Sequence, residues 1–367
     1  PMGMAKLAPT TNAYGSYGSW LPCGYDDRHT SIEGFAHFHE FQIGGVVTIP
    51  TTGELKTLPG TLEDPDSGYR SRIDKTTEVS TPGYYAVTLT DYNIKAEITA
   101  TTRTGFHRYT FPQSTTSKIL FDIGHKQGES ATITDAEVTY HPETNEVTGW
   151  VENYPIYATF CQPDGKIKIF FAAKLDKKPQ TIGTFIDEKI QENSNSVKGP
   201  GCGLYLTFQT KAKEQIQMQV GLSYTNIENA RNNRDSEATG KSFDDVKNAA
   251  HQTWNKMLSR IQVEGGTPED KTKFYTGLYH ALLGRGIAND INGQYIRHDK
   301  TVGQIPLDKN GISLYSHHNT DGMWGGFWNL TQIWTLAYPE IFSSYIKSNL
   351  DFFKNSGWLH DGEAAGV

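Results

Sequence analysis

Cysteine is scarce in this 367-residue chain. Cys23, Cys161 and Cys202 are the only three, too few for a disulfide framework, and no Cys-x-x-Cys spacing supports a redox or zinc role. Charge is also sparse, at 20% of residues against about 25% in ordinary domains. Basic residues are outnumbered, leaving a net charge of −7. Without a basic stripe to release counterions, a nucleic-acid-binding role is disfavoured. No apolar run approaches the roughly 18 residues that cross a bilayer. The best, residues 167–173, is interrupted by Lys168. Walker loop, dinucleotide fingerprint and nucleophile elbow are all missing. The first residues lack the charged and apolar regions of a signal peptide. The chain opens on Pro1 and stops at Val367 without a helix or strand to end on, so a processed or incomplete chain is expected.

Aromatic residues are plentiful, with 19 Tyr, 17 Phe and 7 Trp beside 36 Gly and 16 Pro. Low charge with many aromatics excludes a disordered chain. The length supports two or three domains. Residues 1–237 carry β-rich runs between turn signals, among them 46–49, 84–89, 96–102, 107–111, 132–138, 167–172, 204–208 and 216–224. Many strands without helical pattern between them predict an antiparallel β-sandwich. The polar, Gly-containing stretch 189–203 reads as a long surface loop.

The period changes after Ser236. Ser242 with Asp245 forms a capping-box signature, and Phe243, Val246, Ala250, Trp254, Met257 and Ile261 recur at helical spacing. A second helix starts near Pro268, with Phe274, Leu278 and Leu282 on one face. Asn292-Gly293 inside residues 287–296 is a strong hairpin signal. Two more helices are expected, from Trp324 to about Leu336 and from Pro339 to about Asn355, the latter ended by Gly357. The chain therefore divides into a sandwich (1–237), a helical linker (238–266) and the incomplete start of an α-helical domain (267–367).

Several clusters could carry chemistry. His37 and His39, two apart, share one face of a strand and could ligate a metal. A cupin-like site needs a carboxylate four to six residues after His39, where Ile43, Gly44 and Gly45 stand, so a hydrogen-bonded pair in a sheet or at a domain contact is favoured. Asp290, Asn292 and Gly293 superficially suggest a calcium loop but lack its further acidic positions. Residues 317–329 (His-His-Asn-Thr-Asp-Gly-Met-Trp-Gly-Gly-Phe-Trp-Asn) gather an acid, Asp321, with Trp324 and Trp328 where a loop enters a helix. Such a set can bind sugar, with aromatic faces on C–H surfaces and a carboxylate accepting from hydroxyls. It can equally be a buried aromatic helix start capped by Asp321. Trp20-Leu-Pro-Cys23-Gly24-Tyr25 is a weaker version, either a pocket loop or a packed turn. Cys161 reads as core, and Asn329-Leu330-Thr331 is a glycosylation sequon inside an expected helix.

Taken together, these segments resemble glycoside hydrolase family 92, the calcium-dependent exo-acting α-mannosidases. Pro1-Met-Gly-Met4 is similar to the family's Pro-Phe-Gly-Met, and Gly34-Phe-Ala-His37-Phe-His39 to its Gly-Phe-Ser-His-x-His. Residues 82–87, 94–101, 103–112, 221–231, 274–283 and 290–295 continue the likeness in order. The resemblance implies a β-sandwich, a helical linker and an (α/α)6 barrel that hydrolyses terminal α-mannosides of glycans with inversion. It further implies a raised-pKa acid, a carboxylate base and a calcium ion, with acid, base and calcium ligands after residue 367. By position, Trp20, Cys23 with its loop, His37, His39, Trp324 and, more loosely, Asp321 would line the sugar pocket. A secreted or periplasmic location follows from such a substrate. Gly325 and Trp328 depart from the family's Asp and Arg, which leaves open a noncatalytic carbohydrate-binding or structural extracellular protein, or a hydrolase for a mannosyl phosphate. A half-barrel should leave apolar helix faces uncovered until the remainder of its own barrel closes on them.

Overall fold

A computed structural model of the chain describes all residues except 12–23, 41–42, 128–131, 156–157, 159–163, 285, 320–322 and 360–367. Among the described residues, two antiparallel sheets form a sandwich. One has seven strands in the order Ala8–Thr10, Gly34–Glu40, Ile43–Thr51, Ser114–Asp122, Cys202–Thr210, Thr181–Ile186 and Lys189–Glu192. The other has ten, with Thr104–Phe111 between Glu214–Ser223 and Ile94–Ala100 near its middle. Period-2 alternation explains which side chains meet. In Thr104–Phe111, His107, Tyr109 and Phe111 enter the space between the sheets, while Arg108 faces outward to Glu97 and Asp244. Phe121 and Phe171 stack across the sheets with centroids 6.3 Å apart, and Phe35 reaches Tyr109 at 6.1 Å. Each fully buried ring contributes about 1.5–3 kcal/mol by leaving water.

Six helices are described after the strands: α1 (Ile227–Ala238), α2 (Phe243–Leu258), α3 (Pro268–His280), α4 (Met323–Gly326), α5 (Leu330–Ala337) and α6 (Pro339–Ser356). Helix α1 lies in the stretch that the sequence pattern assigns to strands. Asn226 caps it by accepting from the Asn229 amide. It presses so closely on the sheet that a Cβ on Gly221 would fall 2.1 Å from the Ala230 carbonyl. Only glycine permits that approach. Both expected helix starts hold: Ser242/Asp245 and Thr267/Asp270 form complete capping boxes on α2 and α3. Gly357 ends α6 in the left-handed region, φ 79°.

Three expectations need correction. Residues 189–203 are not simply a loop, since Lys189–Glu192 and Ser196–Lys198 each add a short exposed edge strand to one sheet. The hairpin near Asn292-Gly293 is displaced by one turn. Gly293 adopts φ 82° in a turn where the Asp290 amide donates to the Gln294 carbonyl, but the paired strands are Gln294–Ile296 and Val302–Gln304. The helix expected from Trp324 onward breaks after Gly326, and Asn329 then starts α5. Two consecutive glycines, each about 1 kcal/mol worse than alanine in a helix, explain the break.

The helices share a second core of Met2, Trp254, Leu278, Leu282, Trp334, Tyr338 and Tyr345. Buried polar ends are satisfied: the Trp334 indole N–H donates to the Ala281 carbonyl and the Tyr338 hydroxyl to that of Met257. Met2 threads the first strand segment into this core. Its amide donates to Leu282 and its carbonyl accepts from Ile287.

Candidate functional site

His37 and His39 point from one face of the Gly34–Glu40 strand, yet their surroundings differ. His37 is completely enclosed. Its Nδ1 lies 2.5 Å from the Val46 carbonyl and its Nε2 lies 2.9 Å from Nε2 of His107 on the opposite sheet. His107 Nδ1 continues to the Tyr109 hydroxyl at 2.8 Å, which reaches Thr48 Oγ1 at 3.3 Å. A carbonyl only accepts, so His37 carries its proton on Nδ1. His107 then donates Nε2–H to His37 and accepts from Tyr109. Every link has one proton, and both rings are neutral. Burial lowers the His37 pKa to about 4 and holds His107 well below its ordinary value. A Cβ on Gly105 would lie 2.8 Å from the His37 ring, so a glycine there makes room for the pair. His37 is therefore corrected from a pocket-lining residue to an interior one, because a ring closed on every side cannot touch a sugar.

His39 sits at the strand's open end, half-buried, with Nδ1 2.9 Å from the Lys6 carbonyl. Four segments converge there. A Cβ on Gly24 would lie 3.9 Å from His39, and one on Gly286 would lie 3.2 Å from the Lys6 side chain. The Gly286 carbonyl accepts from the Asn319 amide at 3.0 Å. Asn319 Nδ2 also reaches the Tyr224 hydroxyl at 3.4 Å, and Tyr224 packs edge-on to Phe38. Thr11 and Gly24 meet directly: the Thr11 amide donates to the Gly24 carbonyl, and Thr11 Oγ1 accepts from the Asp26 amide.

Trp20, Cys23 and Asp321 lie outside the described residues. Trp324 falls in α4, and its side chain is outside them too. What the structure brings together is the described flanks of these positions: Gly24 follows Cys23, and Asn319 precedes Asp321 by two residues. His317 and His318 are buried rather than pocket-facing. The His317 ring stacks on Tyr295 at 4.0 Å and meets the edge of Phe352 at 4.9 Å, and burial lowers its pKa. Phe327 and Trp328 stand in the open, Trp328 at 71% exposure. Sequence reading missed Lys6, Tyr224 and Asn319. No short-range pattern marks them, because each acts through a contact distant in sequence.

The described residues do not fit a calcium ion. Among the described residues there is no group of three metal-ligating side chains. Asp290, the carboxylate of the calcium-like loop, is saturated by donors: Ser223 and Thr225 hydroxyls on one oxygen and the Asn233 amide on the other. Donor hydrogens aimed at both oxygens oppose a cation.

The chain belongs to glycosyl hydrolase family 92, whose N-terminal domain matches residues 1–223 and whose catalytic domain matches residues 229–367. It is similar to a family GH92 α-mannosidase from Bacteroides thetaiotaomicron solved with mannoimidazole, with a TM-score of 0.87, 26% identity, and coverage of 100% of this chain and 47% of that one. An inverting family GH92 mannosidase from the same species shares the fold, with a TM-score of 0.80, 23% identity, and coverage of 98% and 45%. A protein of Arthroderma benhamiae described as an uncharacterized secreted glycosidase is 24% identical over 312 residues, covering 77% of this chain and 38% of its own length. The chain thus spans about half the length of the solved relatives, and less of the curated one.

Proposed function

We propose that this chain supplies the sandwich and the first barrel helices of an exo-acting α-mannosidase that removes terminal α-linked mannose from glycans. The observation that carries the reading is the superposition of the whole chain on an α-mannosidase holding mannoimidazole. The convergence of Gly24, Lys6, His39 and Asn319 at the sandwich edge supports a pocket wall built by both domains.

In this reading the hydrolysis is inverting. An acid protonates the leaving oxygen, and a carboxylate base activates water on the opposite face. Both groups, and the ligands of an assisting calcium, belong to residues after 367. Leu336, Leu350 and Phe353, at 50–86% exposure on α5 and α6, are the surfaces that the remainder of the barrel would cover. Residues 1–367 alone are accordingly expected to self-associate and show no turnover. No helix among the described residues is long and apolar enough to cross a membrane, and one relative is described as secreted, which supports a secreted location.

A second reading rests on Gly325 and Trp328, which stand where the family carries Asp and Arg. There the protein binds mannose-bearing glycans without cleaving them. The experiment is turnover and binding of the full-length protein on α-mannosides and mannosyl phosphates, with and without a calcium chelator, beside Asp321→Ala. Chelator-sensitive release of mannose, reduced by Asp321→Ala, supports the enzyme. Binding without release supports the second reading. Unchanged kcat/KM in Asp321→Ala removes Asp321 from the pocket.

A further inference from the structure

We propose that Asp290 is a positioning residue, which seats the His317–Asn319 segment of the helical part on the sandwich and so sets the pocket wall. The kinetic arm of this proposal rests on the mannosidase reading, while its structural arm does not.

Asp290 is 1% exposed. Its carboxylate is held by neutral donors from the sandwich side: Ser223 Oγ at 2.9 Å, Thr225 Oγ1 at 2.5 Å and Asn233 Nδ2 at 2.7 Å. Ser223 ends the last strand of the ten-stranded sheet, Thr225 follows it, and Asn233 belongs to α1. Asn229, one turn before Asn233 on the same face of α1, donates Nδ2 to Gln294 Oε1 and accepts from Asn292 Nδ2. The Asp290–Gln294 turn is therefore gripped along its length by one face of α1.

The other side of Asp290 leads to the 317–319 segment of the proposed pocket wall. Asn289 Oδ1 accepts from the His317 amide at 2.8 Å, and its Nδ2 donates to the Asp290 carbonyl at 2.9 Å. The Ala288 amide donates to the His317 carbonyl, Ile287 pairs with His318, and Gly286 receives Asn319. Residues 286–289 thus act as a short rail for 317–319, with Asp290 clamping the rail to the sandwich. Asp321 and Trp324 follow on the same segment. A buried carboxylate resists displacement, because moving it away from its three donors strands both the charge and the donors.

A general stabilising role would make Asp290 no different from Glu146, which also ties α1 to the sheet, through Arg231 at 2.8 Å and Arg234 at 2.5 Å. Among the described residues Glu146 bonds Arg231 and Arg234 and nothing in the 286–289 rail, so it serves as the control.

The test uses full-length protein carrying Asp290→Asn, Glu146→Gln and the exchange Asp290→Asn/Asn233→Asp. Amide hydrogen exchange is followed in peptides covering 286–290 and 315–319, and KM and kcat are measured on an α-mannoside. Asp290→Asn is expected to speed exchange in both peptides at least about tenfold and to raise KM by about tenfold, with a smaller effect on kcat. Glu146→Gln is expected to lower Tm without either change, and the exchanged pair to recover part of the protection. If Asp290→Asn does not fold, Thr225→Val removes one donor and is read identically. Unaltered exchange in 315–319, or equal changes in Glu146→Gln, overturns the proposal. Absence of mannoside turnover in the unsubstituted protein defeats the mannosidase reading instead and leaves the exchange result to decide this one.

Discussion

His37 and His107 meet Nε2 to Nε2 at 2.9 Å, one from each sheet, in the centre of the sandwich. On that nitrogen each ring bonds the other, and the outer nitrogens end on Val46 and Tyr109. Val46 takes φ 54°, a region that β-branched residues rarely enter, while its carbonyl serves His37. The contact fastens the two layers through a polar chain with no spare proton.

Acid should therefore weaken the fold. A histidine whose folded pKa is depressed leaves stability untouched above its unfolded value near 6.5. Stability then falls as pH drops toward the folded value, about 4 for His37. The loss from this ring amounts to about 3 kcal/mol across that window. Urea unfolding at pH 7 and pH 5 should show it, and His37→Leu/His107→Phe should flatten the slope. An equal acid slope in the double variant would sink the assignment.

His125 predicts the opposite dependence. Burial acts against its charge, but Asp122 at 2.7 Å and Asp187 at 3.2 Å raise its pKa to about 9. Its contribution is complete below about pH 6.5 and disappears as pH rises toward 9. The stability advantage over His125→Gln should shrink between those values. An advantage that grows with pH would contradict the pairing.

Gly221→Ala tests the closeness of α1 to the sheet. The added methyl would fall 2.1 Å from the Ala230 carbonyl and 2.5 Å from Arg234 Cβ. Backbone on one side and a Cβ on the other leave nothing flexible to give way, so a cost of about 1–3 kcal/mol or more is expected. A Tm equal to that of the unsubstituted protein would show that α1 can ride outward freely.

Trp334→Phe and Trp334→Ala probe the helical core separately from the sandwich. Trp334 is 1% exposed and bonded to the Ala281 carbonyl. Truncation to Ala should cost about 3–5 kcal/mol. Phe, which keeps most of the ring but strands that carbonyl, should cost about 1–3 kcal/mol. Thermal unfolding of both variants gives the comparison: a Phe variant as stable as the unsubstituted protein would mean that the hydrogen bond is immaterial, and equal losses would mean that the ring packing Phe retains is.

The residues by themselves determined what short-range physics controls. Alternation in 107–111 fixed a strand with two distinct faces. Ser242/Asp245 and Pro268 fixed two helix starts, and Gly357 fixed a helix end, because the groups involved lie within four residues of one another. Motifs in their order along the chain were enough to indicate the family. Tertiary structure alone decided that His37 is interior while His39, two residues on, stays at an edge. The deciding partner, His107, is 70 positions away. It also decided that Asp290 is a clamp rather than a calcium ligand, since Ser223, Thr225 and Asn233 reach it across 57–67 residues. Periodicity gives the face on which a side chain lies. What meets that face depends on how separate elements pack, and no local pattern encodes it.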